Sequence, residues 1–202
     1  MTTVSPKVQY QGRGLARRLW TLAVVVGGGV VAAAMLMTLT AHRPAVALAS
    51  EDSVDIVPGV AIIPAPGWTV ADRGPNWVAL SNADSSAQLQ IAVKPASAPD
   101  AVATLQADID QLSATPGAGL TNVKTLTAPK TKAVQGNNFQ QEAFIDYTAT
   151  AAAPQGPVPV LGTFSELWNN SSRQTAFVYY RQNDNATSQA ADDGGAMISS
   201  ML

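Results

Sequence analysis

Glu166 stands between two aromatic residues in the run Phe164-Ser165-Glu166-Leu167-Trp168. On an extended chain, residues two apart share a face, so the acid falls on the same side as Phe164 and Trp168. A carboxyl group on a buried apolar face needs a cationic partner, or it keeps its proton. The sequence leaves Glu166 an edge position, or a salt bridge to Arg173 or Arg181. With neither, Glu166 becomes an acid facing a ligand. Glu142 and Asp146, four apart on a presumed strand and opposite Phe139 and Ile145, read as a solvated polar face. Carboxylates are the main acid–base resource of this chain. Its single histidine, His42, lies ahead of the apparent folded part, which removes Ser-His-Asp catalysis, histidine proton relays and nearly all zinc sites. The absence of cysteine removes thiol catalysis, thiolate metal sites and the lipobox of a lipoprotein. The acidic stretch NDNATSQAADDGG has neither the ligand spacing nor the closing Glu of an EF-hand, and reads as a capped helix start. The short glycine runs GRG and GGG do not join a strand to a helix with the lysine a phosphate loop needs. No catalytic residue, metal or cofactor is expected. The candidate ligand contacts are Trp77, Phe164, Glu166 and Trp168.

The elements that must position these residues are legible in the periodicity. Val60–Pro64 is a compact apolar run, a Pro-Gly turn feeds a strand from Trp68, and NWVALS follows the breaker RGP. In AQLQIAVKP, Ala87, Leu89, Ile91 and Val93 alternate with Gln88, Gln90 and Lys94, the period of a strand with one face on a core. The period then changes. Ala101, Val102, Leu105, Ile109 and Leu112 fall at helical spacing, with Asp108 and Asp110 expected outward and Asp100 or Ser97 as the cap. Three longer strands follow in FQQEAFIDYTAT, PVLGTFSELWN and QTAFVYYRQ. The last is apolar on both faces, as a central strand should be. From Asn185 the pattern is helical again, with Ala186, Ala190, Met197, Ile198 and Met201 as its stripe and Gly194-Gly195 as a weak point. Strands, a helix, more strands and a closing helix predict an α+β domain with an antiparallel sheet flanked by helices.

That order, with PAPGW leading the early hairpins and AMISSM in the closing helix, resembles the Mog/PsbP-like fold family over roughly Val57 to Leu202. Trp68 after Pro-Gly is the residue that carries the resemblance best. The resemblance implies an actinobacterial (mycobacterial-type) envelope protein of unassigned function, non-enzymatic, serving as a binding or assembly module. It brings no catalytic residues to carry over.

Ahead of this domain, residues 19–41 hold no charge. As a helix that run is about 34 Å long against a hydrocarbon core of about 30 Å, and it predicts one transmembrane helix. Residues 1–18 carry Lys7, Arg13, Arg17 and Arg18 and no acid, the signature of a cytoplasmic tail. Residues 42–56 read as a linker and 57–202 as the extracytoplasmic domain. After Ser50 there are seven Lys/Arg against fourteen Asp/Glu, a formal charge of −7 that argues against nucleic acid as a partner. The small-x-small pattern Ala47-Leu48-Ala49 leaves an alternative open, cleavage near Ala49 and secretion. The length of the apolar run favours a retained anchor. The expected function is a non-catalytic binding or assembly module of a single-pass envelope protein, with a protein partner. The alternatives are a carrier for an apolar ligand, held between sheet and helix and lined by Trp68, Trp77, Phe164 and Trp168, or a carboxylate-dependent cell-wall hydrolase.

Overall fold

A computed structural model describes residues 52–115, 119–153 and 156–202. The basic tail, the apolar run 19–41 and His42 lie outside these residues. Among the described residues no helix is long and apolar enough to cross a membrane.

The chain begins with a hairpin, β1 (Val54–Val57) and β2 (Val60–Ile62). β1 falls almost wholly within the stretch read as linker, because only Ile56 of it is buried and no periodicity marks it. The turn at Pro66-Gly67 follows, closed by the Trp68 N–H donating to the Ala65 carbonyl at 2.9 Å. Gly67 sits at φ +82°, a conformation that suits glycine, which is why Pro-Gly marks this turn. It feeds β3 (Trp68–Arg73), β4 (Trp77–Asn82) and β5 (Ala87–Pro95), an antiparallel meander. In β5 the predicted alternation holds residue by residue, with Ala87, Leu89, Ile91 and Val93 buried.

Helix α1 (Ala101–Ala114) crosses next, capped as expected by Asp100, whose carboxylate accepts the Ala103 N–H at 2.8 Å. Two short polar strands come after it, β6 (Leu120–Thr125) and β7 (Lys130–Ala133). Both pair with β8 (Gln141–Ala151) on the same side, joined by the Leu126 N–H donating to the Asp146 carbonyl at 2.8 Å, so they form one interrupted edge. β9 (Val158–Trp168) and β10 (Gln174–Gln182) complete a second meander. β10 pairs antiparallel with β5 and so joins the two meanders into one sheet, in the order β3-β4-β5-β10-β9-β8-β6. This central place explains why β10 is apolar on both faces. Both edges are irregular. β3 carries a bulge between Val70 and Asp72, and β6 one between Thr121 and Lys124, where Asn122 has φ 54°.

Each face carries its own core. Helix α1 packs on β9, β8 and β6 over Ala143, Ile145, Tyr147 and Phe164. The closing helix α2 (Ser188–Ser199) and the β1–β2 hairpin cover Leu80, Leu89, Ile91 and Val178 on the other face. The stripe expected for this helix is confirmed, with Ala190 and Met197 buried and Met201 just beyond its end. Gly194 does not break it. Gly194 is buried where a Cβ would come within 2.9 Å of the Tyr180 ring, so the glycine lets helix and sheet approach closely.

Candidate functional site

Strand register brings the polar residues of the α1 face into two adjacent rows. In one, Lys94 of β5 lies opposite Thr175 of β10, which lies opposite Trp168 of β9. In the next, Ala92, Phe177, Glu166 and Ala143 line up across β5, β10, β9 and β8. Helix α1 lays Thr104 and Asp108, one turn apart, against this face.

Asp108 is 4% exposed, which corrects the expectation that it points outward. Helical spacing places it in the stripe of Leu105, Ile109 and Leu112, and Lys94 makes its burial tolerable by an ion pair to Oδ1. Glu166 is 0% exposed and lies on an inner strand, so it does not take the edge position the sequence left open. Its expected arginine partners are engaged elsewhere. Arg173 lies over the Trp168 ring, 5.6 Å from its centroid, and donates to the Ala98 carbonyl at 2.8 Å. Arg181 donates from Nε to the Gln88 side-chain oxygen at 3.0 Å. Neither carboxyl oxygen of Glu166 has a hydrogen-bond partner, and Asp108 Oδ2 and Thr104 Oγ1 are also buried without one. Burial pushes Glu166 up to about 9. The Thr175 hydroxyl opposes this, the Asp108 carboxylate adds to it, and Lys94 lowers it in smaller measure. Around Glu166, Tyr147 stacks on Phe164 at 3.9 Å and Phe164 on Phe177 at 5.9 Å, a wall of rings that excludes water. Gly162, opposite Tyr147, admits this arrangement, since a Cβ there would meet the Tyr180 carbonyl oxygen at 1.9 Å.

The other carboxylate pair behaves differently from its expected solvated state. Glu142 is buried on the opposite face. It accepts from Ser165 Oγ at 3.0 Å and from Lys132 Nζ at 2.9 Å, because β7 sets Lys132 directly across from it. Asp146 accepts from Thr163 Oγ1 at 2.9 Å and stays half-buried.

The four aromatics expected to line one apolar cavity are divided between the two faces. Phe164 and Trp168 are packed beneath α1, whereas Trp68 belongs to the core under α2. Trp68 is 5% exposed, and its Nε1 donates to Asp193 Oδ2 at 3.1 Å beside a shallow depression of about 300 Å³. Trp77 is half-exposed, its indole lying against Gly74. Lys94, Asp108, Thr104 and Thr175 were not singled out as site residues. A trace of their role is visible in the sequence, since Asp108 falls at i+3 from Leu105. Among the described residues no group of three His, Cys, Asp or Glu side chains gathers to hold a metal.

No protein-family model matches the sequence. No curated protein matches it either. The fold is similar to that of the Saccharomyces cerevisiae Ran-binding protein Mog1p, at 12% identity and TM-score 0.46, over 71% of this chain and 87% of that one. A mutant of protein Mog1 is similar at 12% identity and TM-score 0.47, over 74% and 91%. A Bacteroides thetaiotaomicron protein is similar at 12% identity and TM-score 0.31, over 71% of this chain and 46% of its own.

Proposed function

We propose that the chain is a single-pass envelope protein of actinobacterial (mycobacterial-type) character. Its N-terminus is cytoplasmic, and its external α+β domain is a non-catalytic module that binds a protein partner. The observation that carries this reading is the half-covered sheet. On its own face α1 packs over β6, β8 and β9, while the β4–β5–β10 half keeps Trp77, Ala79, Gln88, Gln90, Ala92 and Tyr179 half-exposed. Trp77 and Tyr179 are the amphipathic rings that interfaces favour, and Tyr179 is held by its hydroxyl to Gln90 at 2.6 Å. Strands β4, β5 and β10 bring no acid to this half-face, although the chain after Ser50 carries −7; Asp72 of β3, opposite Ala79, stands at its margin.

The buried acids speak against hydrolysis. Glu166 and Asp108 are sealed beneath a helix, and a general acid must come within hydrogen-bond reach of its substrate. The carrier reading loses its common cavity, since its four aromatics lie on two faces.

A photocrosslinking residue placed at Trp77 or Ala92 of the full-length chain in native membranes tests the reading. One defined protein adduct is expected from both positions and none from Thr150 on the opposite face. Equal labelling from all three, or copurified extractable lipid in place of an adduct, would overturn it. A reporter fused after Leu202 is expected to work only in an export compartment. Full-length chain is expected in the membrane fraction; a mature N-terminus at Ser50 in the soluble fraction would replace the anchor by a secreted form.

A further inference from the structure

The buried atoms without partners among the described side chains are Thr104 Oγ1, Asp108 Oδ2 and both carboxyl oxygens of Glu166. All of them lie where α1 meets the sheet. Two facing carboxylates, both ionised, are acceptors only and cannot pair with each other. The Thr175 hydroxyl, which favours the ionised form of Glu166, is shared with the Lys94 carbonyl at 3.3 Å, and the Thr104 hydroxyl meets none of the three carboxyl oxygens that lack a partner. Two ionised acids would also put two buried negative charges beside one lysine, itself partly exposed.

We infer that Glu166 and Asp108 share one buried proton, and that this proton is a structural ligand fastening α1 to the sheet. With it, Glu166 becomes a donor and can give its proton to Asp108 Oδ2, the carboxyl oxygen that lacks a partner. Asp108 Oδ1 stays on Lys94, the two carboxyl groups are paired instead of opposed, and the cluster is neutral. Burial and the neighbouring Asp108 both strengthen the hold of Glu166 on a proton. Among the described residues no other charge supplies the same neutralisation. From β10 the face receives Tyr179 and Arg181, and from β8 Tyr147, with Arg181 turned to Gln88 and to the Gly119 carbonyl. From the β9–β10 turn comes Arg173, which is spent on Trp168 and Ala98. On β6, Lys124 lies opposite Thr148 and so faces the other way. On α1 itself Asp100 caps the helix and Asp110 accepts from Gln106 in solvent. When the proton leaves, Lys94 faces one carboxylate too many and α1 loosens from β9. The inference is independent of the partner-binding reading.

Infrared spectroscopy of the full-length chain at neutral pH reads the proton directly. A protonated carboxylic-acid band is expected in the natural chain and is expected to vanish in Glu166→Gln. Hydrogen exchange gives the mechanical consequence. After correction for intrinsic exchange, α1 amides are expected to open at least about tenfold more readily at pH 9 than at pH 7, with β5 and β10 unchanged. Glu166→Gln, whose amide still donates, is expected to remove that dependence. Absence of the band in the natural chain, its persistence in Glu166→Gln, or pH-independent protection of α1 would each overturn the inference. Should Glu166→Gln fail to fold, the band and the exchange profile of the natural chain still decide.

Discussion

Replacing Glu166 by Gln keeps the shape of the side chain and removes its titration, so its signature is a change in how stability depends on pH. The folded chain raises this carboxyl from 4.5 to about 9. Between those values the folded state holds a proton that the unfolded state has released, so stability falls as pH rises through the window and levels off above it. Each unit is worth about 1.4 kcal/mol well below the folded value and half of that at it, so moving from pH 7 to pH 9 is expected to cost about 2 kcal/mol of a typical total of about 5–15. The tyrosines do not blur this window. Burial raises Tyr147, Tyr179 and Tyr180 above their ordinary range, so their titration lies at higher pH. Urea midpoints of the full-length chain measured from pH 6.5 to 9.5 are therefore expected to fall in the natural protein and to stay nearly flat in Glu166→Gln. Parallel profiles would refute the reasoning, because they would mean that Glu166 carries the same charge folded and unfolded.

Other substitutions probe other joints of the fold. Gly162→Ala drives a methyl against the Tyr180 carbonyl oxygen at 1.9 Å and is expected to destabilise at or beyond the upper end of ~1–3 kcal/mol, read from the denaturation midpoint. Trp68→Ala is expected to cost about 3–5 kcal/mol, and Trp68→Phe, which keeps a ring but loses the bond to Asp193, markedly less. A Trp68→Ala midpoint equal to that of the natural chain would mean that the indole is not part of the core. Asp100→Ala removes the cap of α1 and is expected to lower stability by about 1 kcal/mol, with faster exchange confined to the first turn of the helix.

The elements with one apolar face were legible from sequence alone. β5 alternates because one side meets a core, α1 has a helical stripe and a cap, and Pro66-Gly67 makes the turn its chemistry demands. The strands that escaped notice, β1, β6 and β7, bury too little to show a period. Their pairing is decided by backbone hydrogen bonds to a neighbour, which side-chain pattern does not record. The site was half legible for a related reason. Aromatics on either side of Glu166 made its burial one of the open alternatives, but its companion Asp108 reads as a solvent-facing charge. What reverses that assignment is Lys94, fourteen positions earlier and on another element, a contact that only the crossover between β5 and α1 creates. Glu142 was misplaced similarly, since Lys132 reaches it only through the pairing of β7 with β8.

The irregular margins of the sheet constrain how anything can dock on it. An extended peptide joins a sheet by finding an unbroken row of free N–H and C=O groups along its outermost strand. β3 offers only Trp68–Val70 before its bulge twists the row. The far margin is split between β6 and β7, with Lys124, Lys130 and Lys132 strung along it. A ninth strand finds no continuous template on either side. Recognition of this domain therefore has to proceed through side chains on a face, and many copies can crowd together without zipping into a common ladder.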